Sequence, residues 1–364
     1  MRYAPRRSSS GAAVLMFLLL SGALGAAAPP APPSLPEGPI LDGNVIDTHN
    51  HLEGRTPSRQ GPPAHDYEGA ARVALDMMNR VGIKKMLIMP PPFPPGFPGA
   101  YDLDDLLGTV RRYPDRFAVL GGGGTLNPLI HQAVRSGDSG AGMRARLERE
   151  AAEILAKGAL GFGELTAEHV SKASNHPYLA APPDHPLFLA LADIAAQRDV
   201  PIDIHMEAVP EDMALPGRLT SPLNPRQLRA NIAAFERLLA HNRRAKIIWA
   251  HAGWDNTGHR TARLSADLLQ KHPNLYMSIK IGGDAGPDNR PMGPPGIAPE
   301  WLEVIKAFPE RFLTGSDQFY LSPRSQQRFP RHVEASIRFL SLLPPELARR
   351  VGYENARRLF KLGE

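Results

Sequence analysis

The sequence contains no cysteine. That absence excludes disulfides, zinc–thiolate sites, a cysteine nucleophile and a lipid-acylated cysteine near the start. It does not set the redox compartment, because a large core needs no covalent staples. Aromatic residues make up only 7% of the 364-residue chain, beside 42% hydrophobic and 22% charged. This is a globular balance, neither disordered nor fibrous. The apolar run at residues 12–20 is shorter than the roughly 20 residues of a bilayer-spanning helix, and no other segment reaches that length. Excess positive charge is also small. The formal net charge is +5, and Arg2, Arg6 and Arg7 supply three of those charges. A body this close to neutral has no electrostatic footprint for DNA or RNA, so no nucleic-acid partner is expected. No Gly-x-Ser-x-Gly elbow is present, which disfavours a serine hydrolase.

What is present begins at the N-terminus. Three arginines precede the apolar run, and a small-residue stretch follows from Gly22 to Ala28. Basic start, short apolar middle and small exit describe a secretory signal peptide over residues 1–28. The expectation is an exported protein, periplasmic or secreted, with no membrane association once the signal is removed. Residues 29–43 carry Pro29, Pro30, Pro32, Pro33, Pro36 and Pro39 and read as a stiff spacer.

From residue 44 the chain alternates β-rich runs with amphipathic helical segments. The runs are 45–47, 84–89, 117–121, 158–164, 200–205, 246–251, 275–281 and 311–315. Their starts are spaced as βα units are, and they are apolar on both faces, as buried parallel strands should be. Helical periodicity is expected over 144–157, 186–198, 226–241 and 263–271. Eight such units predict an α/β fold, a single-domain (β/α)8 TIM barrel over 44–362; the competing architecture is an open doubly wound sheet. No phosphate-binding loop follows the first strand. Gly121, Gly122, Gly123 and Gly124 read as a flexible turn at the barrel top.

The strand ends carry the chemistry. His49 and His51 are two apart at the end of the first run, so both imidazoles can face one ion. Glu164 ends the fourth run, His205 the fifth and His251 the sixth, and Asp317 follows the eighth. All six are metal-ligand types at the end of the barrel where active sites gather. A solvated or capping role is expected for the nine other histidines, among them His169, His176, His185 and His332. Trp254, Arg260 and Lys280 are candidate substrate contacts, by ring stacking for the first and carboxylate binding for the second.

The chain resembles the amidohydrolase superfamily, in particular the amidohydrolase-related branch that includes aminocarboxymuconate-semialdehyde decarboxylase. The resemblance rests on Asp47-Thr48-His49-Asn50-His51, His205, His251-Ala252-Gly253, Gly315-Ser316-Asp317 and the closing 354–360 segment. It implies a divalent metal, zinc before others. A one-ion site would use His49, His51, His205 and Asp317, with His251 moving protons or polarising the bond attacked. A two-ion site would add Glu164 as the bridge, with His205 and His251 on the second ion. Asp317 would also take a proton from the attacking water. The expected activity is hydrolysis of an amide, lactone or ester in a small molecule. Non-hydrolytic decarboxylation of an aromatic or unsaturated acid is the enzymatic alternative, and a non-catalytic exported metal- or ligand-binding barrel is the other. Assembly into a homo-oligomer stays open.

Overall fold

A computed structural model describes residues 40–56, 64–173, 176–282, 289–294, 296–325 and 331–363, all within one compact unit. The segments expected to be a signal peptide and, up to residue 39, a spacer lie outside the described residues; Ile40–Gly43 forms a 3-10 turn. Among the described residues no helix is long and apolar enough to cross a membrane.

Eight strands carry the fold: β1 Val45–Glu53, β2 Ile83–Ile88, β3 Phe117–Val119, β4 Phe162–His169, β5 Pro201–Met206, β6 Lys246–Ala252, β7 Leu275–Ile279 and β8 Phe312–Thr314. Neighbours pair in parallel and in chain order, with Val45 opposite Ile83, Ile88 opposite Val119, Phe162 opposite Ile202, Ile247 opposite Leu275 and Met277 opposite Phe312. Leu160 N donates to Val119 O at 2.8 Å and joins the third and fourth positions. The ring closes between β8 and β1 without a regular ladder: Thr48 Oγ1 donates to Thr314 O at 2.8 Å and Asp317 N to His49 O at 2.9 Å. This is the expected TIM-barrel arrangement.

Strand alternation sorts the core into two layers. Val45, Ile88, Ile247, Trp249 and Phe312 belong to the large cluster that also holds the apolar helix faces. Ile46, Leu87, Leu120, Ile248 and Leu313 form a second cluster with Ala356, Leu359 and Phe360 of the closing segment. Asn355 Nδ2 pins that segment to the barrel, donating to Pro309 O and Phe312 O at 2.8 Å each.

The helices fall largely where periodicity predicts. Pro186–Arg198 matches at both ends, with Pro186 at the first turn and the His185 ring capping Leu187 N. The sixth helix starts only at Ile232, because Gln227–Leu228 pairs in a hairpin with Met213–Ala214. β1 and β4 also run past their expected ends. Beyond the barrel rim, 50–53 pair with 318–321, and Glu168 and His169 pair with Ala180 and Leu179. The glycine run is not a flexible turn. A Cβ on Gly124 would lie 2.1 Å from Tyr101 O, and Asp102 accepts from the N–H of both Gly122 and Gly124. Only glycine allows that close approach.

Candidate active site

Irregular pairing, not plain alternation, aims the ligands. The β1–β2 register shifts between Asp47 and Asn50, β4–β5 between Phe162 and Leu165, and β6–β7 between Trp249 and Ala252. Such bulges re-aim side chains and concentrate at active sites. His251 and Asp317 adopt left-handed backbone, at φ 65° and 53°. That conformation is uncommon for residues with a Cβ. β5 needs no irregularity, and its alternation puts Asp203 and His205 on one face.

The six predicted residues come together. His51 Nδ1 donates to Met89 O at 2.9 Å, which leaves Nε2 facing Asp317 Oδ1 at 3.1 Å and Glu164 Oε2 at 3.4 Å. His49 Nε2 lies 3.5 Å from Glu164 Oε2 and 3.8 Å from Asp317 Oδ1. On its other side, Glu164 presents Oε1 to His205 Nδ1 at 3.0 Å and His251 Nε2 at 3.1 Å. Asp317 Oδ2 accepts from Lys280 Nζ at 2.5 Å.

These residues fit a metal. Four ligand atoms about 2.1 Å from one ion lie about 3.4 Å from one another, close to the separations around Glu164 Oε2 and Asp317 Oδ1. Two overlapping groups have ligand atoms within 4.8 Å of each other: His49, His51 and Asp317, and His49, Glu164 and His251. His49 Nε2 is buried with no hydrogen-bond partner, as a waiting ligand would be.

The electrostatics agree. Burial favours the neutral acid, yet charge on His49 and hydrogen bonds from His205 and His251 hold Glu164 well below the carboxylate range. Asp317 is also held well below it, where the Lys280 ammonium outweighs burial. His205 rises to about 9 against burial, because Glu164 and Glu207 flank it. Burial takes His251 well below the usual imidazole value. Protons on His49 and His205 thus balance carboxylates that a cation would otherwise balance.

A cavity of about 440 Å³ opens onto Glu164, His205 and Asp317. Pro91, Phe93, Phe97 and Phe319 give it an apolar wall. Trp254 and Lys280 line it, with Lys280 Nζ and Lys172 Nζ both over the Trp254 ring. Arg260 is a correction. It is 2% exposed and absent from the cavity lining, with its guanidinium on the Trp249 ring at 4.1 Å and donating to Trp249 O. It balances Glu207, Asp255 and Asp203, and burial pulls its pKa down to about 9. Arg260→Met is therefore expected to cost about 3–5 kcal/mol by leaving buried carboxylates uncompensated. Urea unfolding should show that loss, with KM unchanged.

Sequence reasoning missed four residues. His169 and His176 line the cavity, with His169 in ring contact with both His176 and His205, and His332 lines it beside Trp254. Glu207 stands 3.6 Å from His205 Nε2 and accepts from Asn256 Nδ2 at 2.6 Å. Its signal was available, since it follows His205 at strand spacing.

A closed parallel barrel with buried histidines and carboxylates meeting at its carboxyl rim has the architecture of a metal-dependent barrel enzyme. The amidohydrolase family model matches residues 46–362, and the chain belongs to that family. Its members are metal-dependent enzymes that bind small molecules. No curated protein matches the sequence. Similar solved structures include a 2,6-dihydroxybenzoate decarboxylase from Rhizobium, at 15% identity over 88% of this chain and 99% of that one, TM-score 0.48. A probable 2-pyrone-4,6-dicarboxylic acid hydrolase from Acinetobacter baumannii has 14% identity over 88% and 100%, TM-score 0.48. A dihydroxybenzoic acid decarboxylase from Polaromonas, with bound manganese, has 15% identity over 88% and 98%, TM-score 0.47.

Proposed function

We propose that the protein is a metal-dependent hydrolase of a C–N or C–O bond in a small amide, lactone or ester, with two divalent ions sharing Glu164. One observation carries this reading: the two oxygens of Glu164 face different histidine pairs, Oε2 toward His49 and His51 and Oε1 toward His205 and His251. If two divalent ions bind, Glu164 would be held in common, with His49 and His51 holding one and His205 and His251 the other. A bound divalent ion would lower the pKa of a coordinated water to about 7 and polarise the carbonyl under attack.

The chain's own groups supply the rest. The Asp317 side chain is 12% exposed toward the cavity, so it can accept a proton from the attacking water and return it to the leaving atom. Lys280 holds its second oxygen. His251, kept neutral by burial, has the lone pair with which it would hold the second ion. The wall of Pro91, Phe93, Phe97 and Phe319 excludes water and packs a flat apolar body.

The test is a screen of lactones, esters and acyl amides with zinc-loaded protein in ¹⁸O-labelled water. One ¹⁸O per product carboxylate is expected, with His51→Ala inactive. Carbon dioxide release from aromatic acids without ¹⁸O uptake would overturn hydrolysis in favour of decarboxylation. Inactivity of metal-replete protein across both panels would point to a binding barrel.

A further inference from the structure

Asp203 is a carboxylate that the proposed reaction does not use. It is 1% exposed, and neither oxygen has a hydrogen-bond partner. Isolated burial of that kind is costly, so a retained carboxylate needs a positive or donating neighbour. Arg260 balances part of its charge without a direct ion pair, and the side chain that meets it is His49, whose Nδ1 lies 3.3 Å from Oδ1 and is itself buried without a hydrogen-bond partner. The chain also makes room for it. A Cβ on Gly163 would lie 2.9 Å from Asp203 Cβ, so any larger residue there would force the Asp203 side chain to shift.

We propose that Asp203 is a positioning residue that orients His49, accepting a hydrogen bond from Nδ1–H so that Nε2 faces Glu164 and Asp317. This rests on the metal-centre reading above. His51 shows the same device with a neutral acceptor, its Nδ1 donating to Met89 O. The two histidines of the first strand therefore differ in character. An imidazole held by a carboxylate is the stronger electron donor, and such outer partners typically contribute about 10- to 100-fold in metal affinity. His49 belongs to both ligand groups, so its orientation bears on the whole centre.

The experiment compares zinc affinity, by competition with a chromophoric chelator, in wild type, Asp203→Asn and Asp203→Ala. Affinity is expected to fall about 10-fold for the amide, which keeps an acceptor, and nearer 100-fold for alanine. The Tm of the metal-free amide variant should match wild type. A merely structural role would lower that Tm and leave zinc affinity alone. Zinc affinity within twofold of wild type in both variants would overturn the inference while leaving the hydrolase reading intact. Absence of zinc binding by wild type would instead sink the metal-centre reading. The crystal structure of the metal-free alanine variant then decides the inference, since a His49 ring in its wild-type orientation overturns it.

Discussion

Glu164→Gln is expected to abolish turnover and remove one of two bound ions in the same step. The amide keeps the shape of the side chain but loses the charge and one acceptor oxygen. Its nitrogen cannot ligate, so one histidine pair loses its shared partner whichever way the amide turns. The substitution also removes a negative charge that these four imidazoles share, which weakens the attraction for a cation. Turnover should fall by about a thousandfold or more, beyond the 10- to 100-fold typical of outer-sphere partners. Elemental analysis and steady-state rates on the same preparation check this. Full metal content with reduced turnover would place Glu164 outside the coordination sphere. Full metal content with full turnover would remove it from the site.

Stripping the metal should produce the largest stability change in the molecule. With free ion at a thousand times Kd, each site adds about 4.1 kcal/mol to the folded state. For a chain of this size that is about 8 °C in Tm per ion, at roughly 2 °C per kcal/mol. Two ions should therefore raise the midpoint by roughly 16 °C over chelator-treated protein in a calorimetric scan. The effect depends on pH with a definite sign. His205 is held at about 9 and His49 well above its usual value, so both carry protons at neutral pH in the metal-free protein. Each must shed that proton to ligate. Ion uptake should release protons, and affinity should rise as pH climbs toward 9. Titration calorimetry in buffers of different ionisation enthalpy measures the proton count; a count of zero at pH 7 would contradict this account.

The fold and the residues that meet at its rim were legible because each rests on local pattern. Eight apolar runs at βα spacing need no distant information, and His49, His51, His205, His251 and Asp317 each follow such a run directly. What stayed hidden depends on contacts between strands. The register shifts at Asp47 and Trp249 come from how neighbours pair, and they decide which way His49 and His251 point. Arg260 sits nine residues after His251 in what looks like an active-site loop. Its guanidinium nevertheless turns inward, because Trp249 offers a ring and Glu207 and Asp255 offer charge. His169 looked incidental because β4 was expected to end at Glu164. Its extension to His169 carries that imidazole over the cavity. Asp203 was present in the sequence two residues before His205, and only the proximity of His49 gives it meaning.

The seam between β8 and β1 has a consequence for how the barrel breathes. Its closing backbone bond, Asp317 N to His49 O, joins two of the residues that would grip an ion. The ladder of 50–53 with 318–321 follows that bond directly, and Ser316 donates across the same join to Asp47. An ion gripped by both side chains would act as a rivet across that join. Amide exchange at Asp317 is then expected to report occupancy of the centre, slower when it is filled than when it is empty.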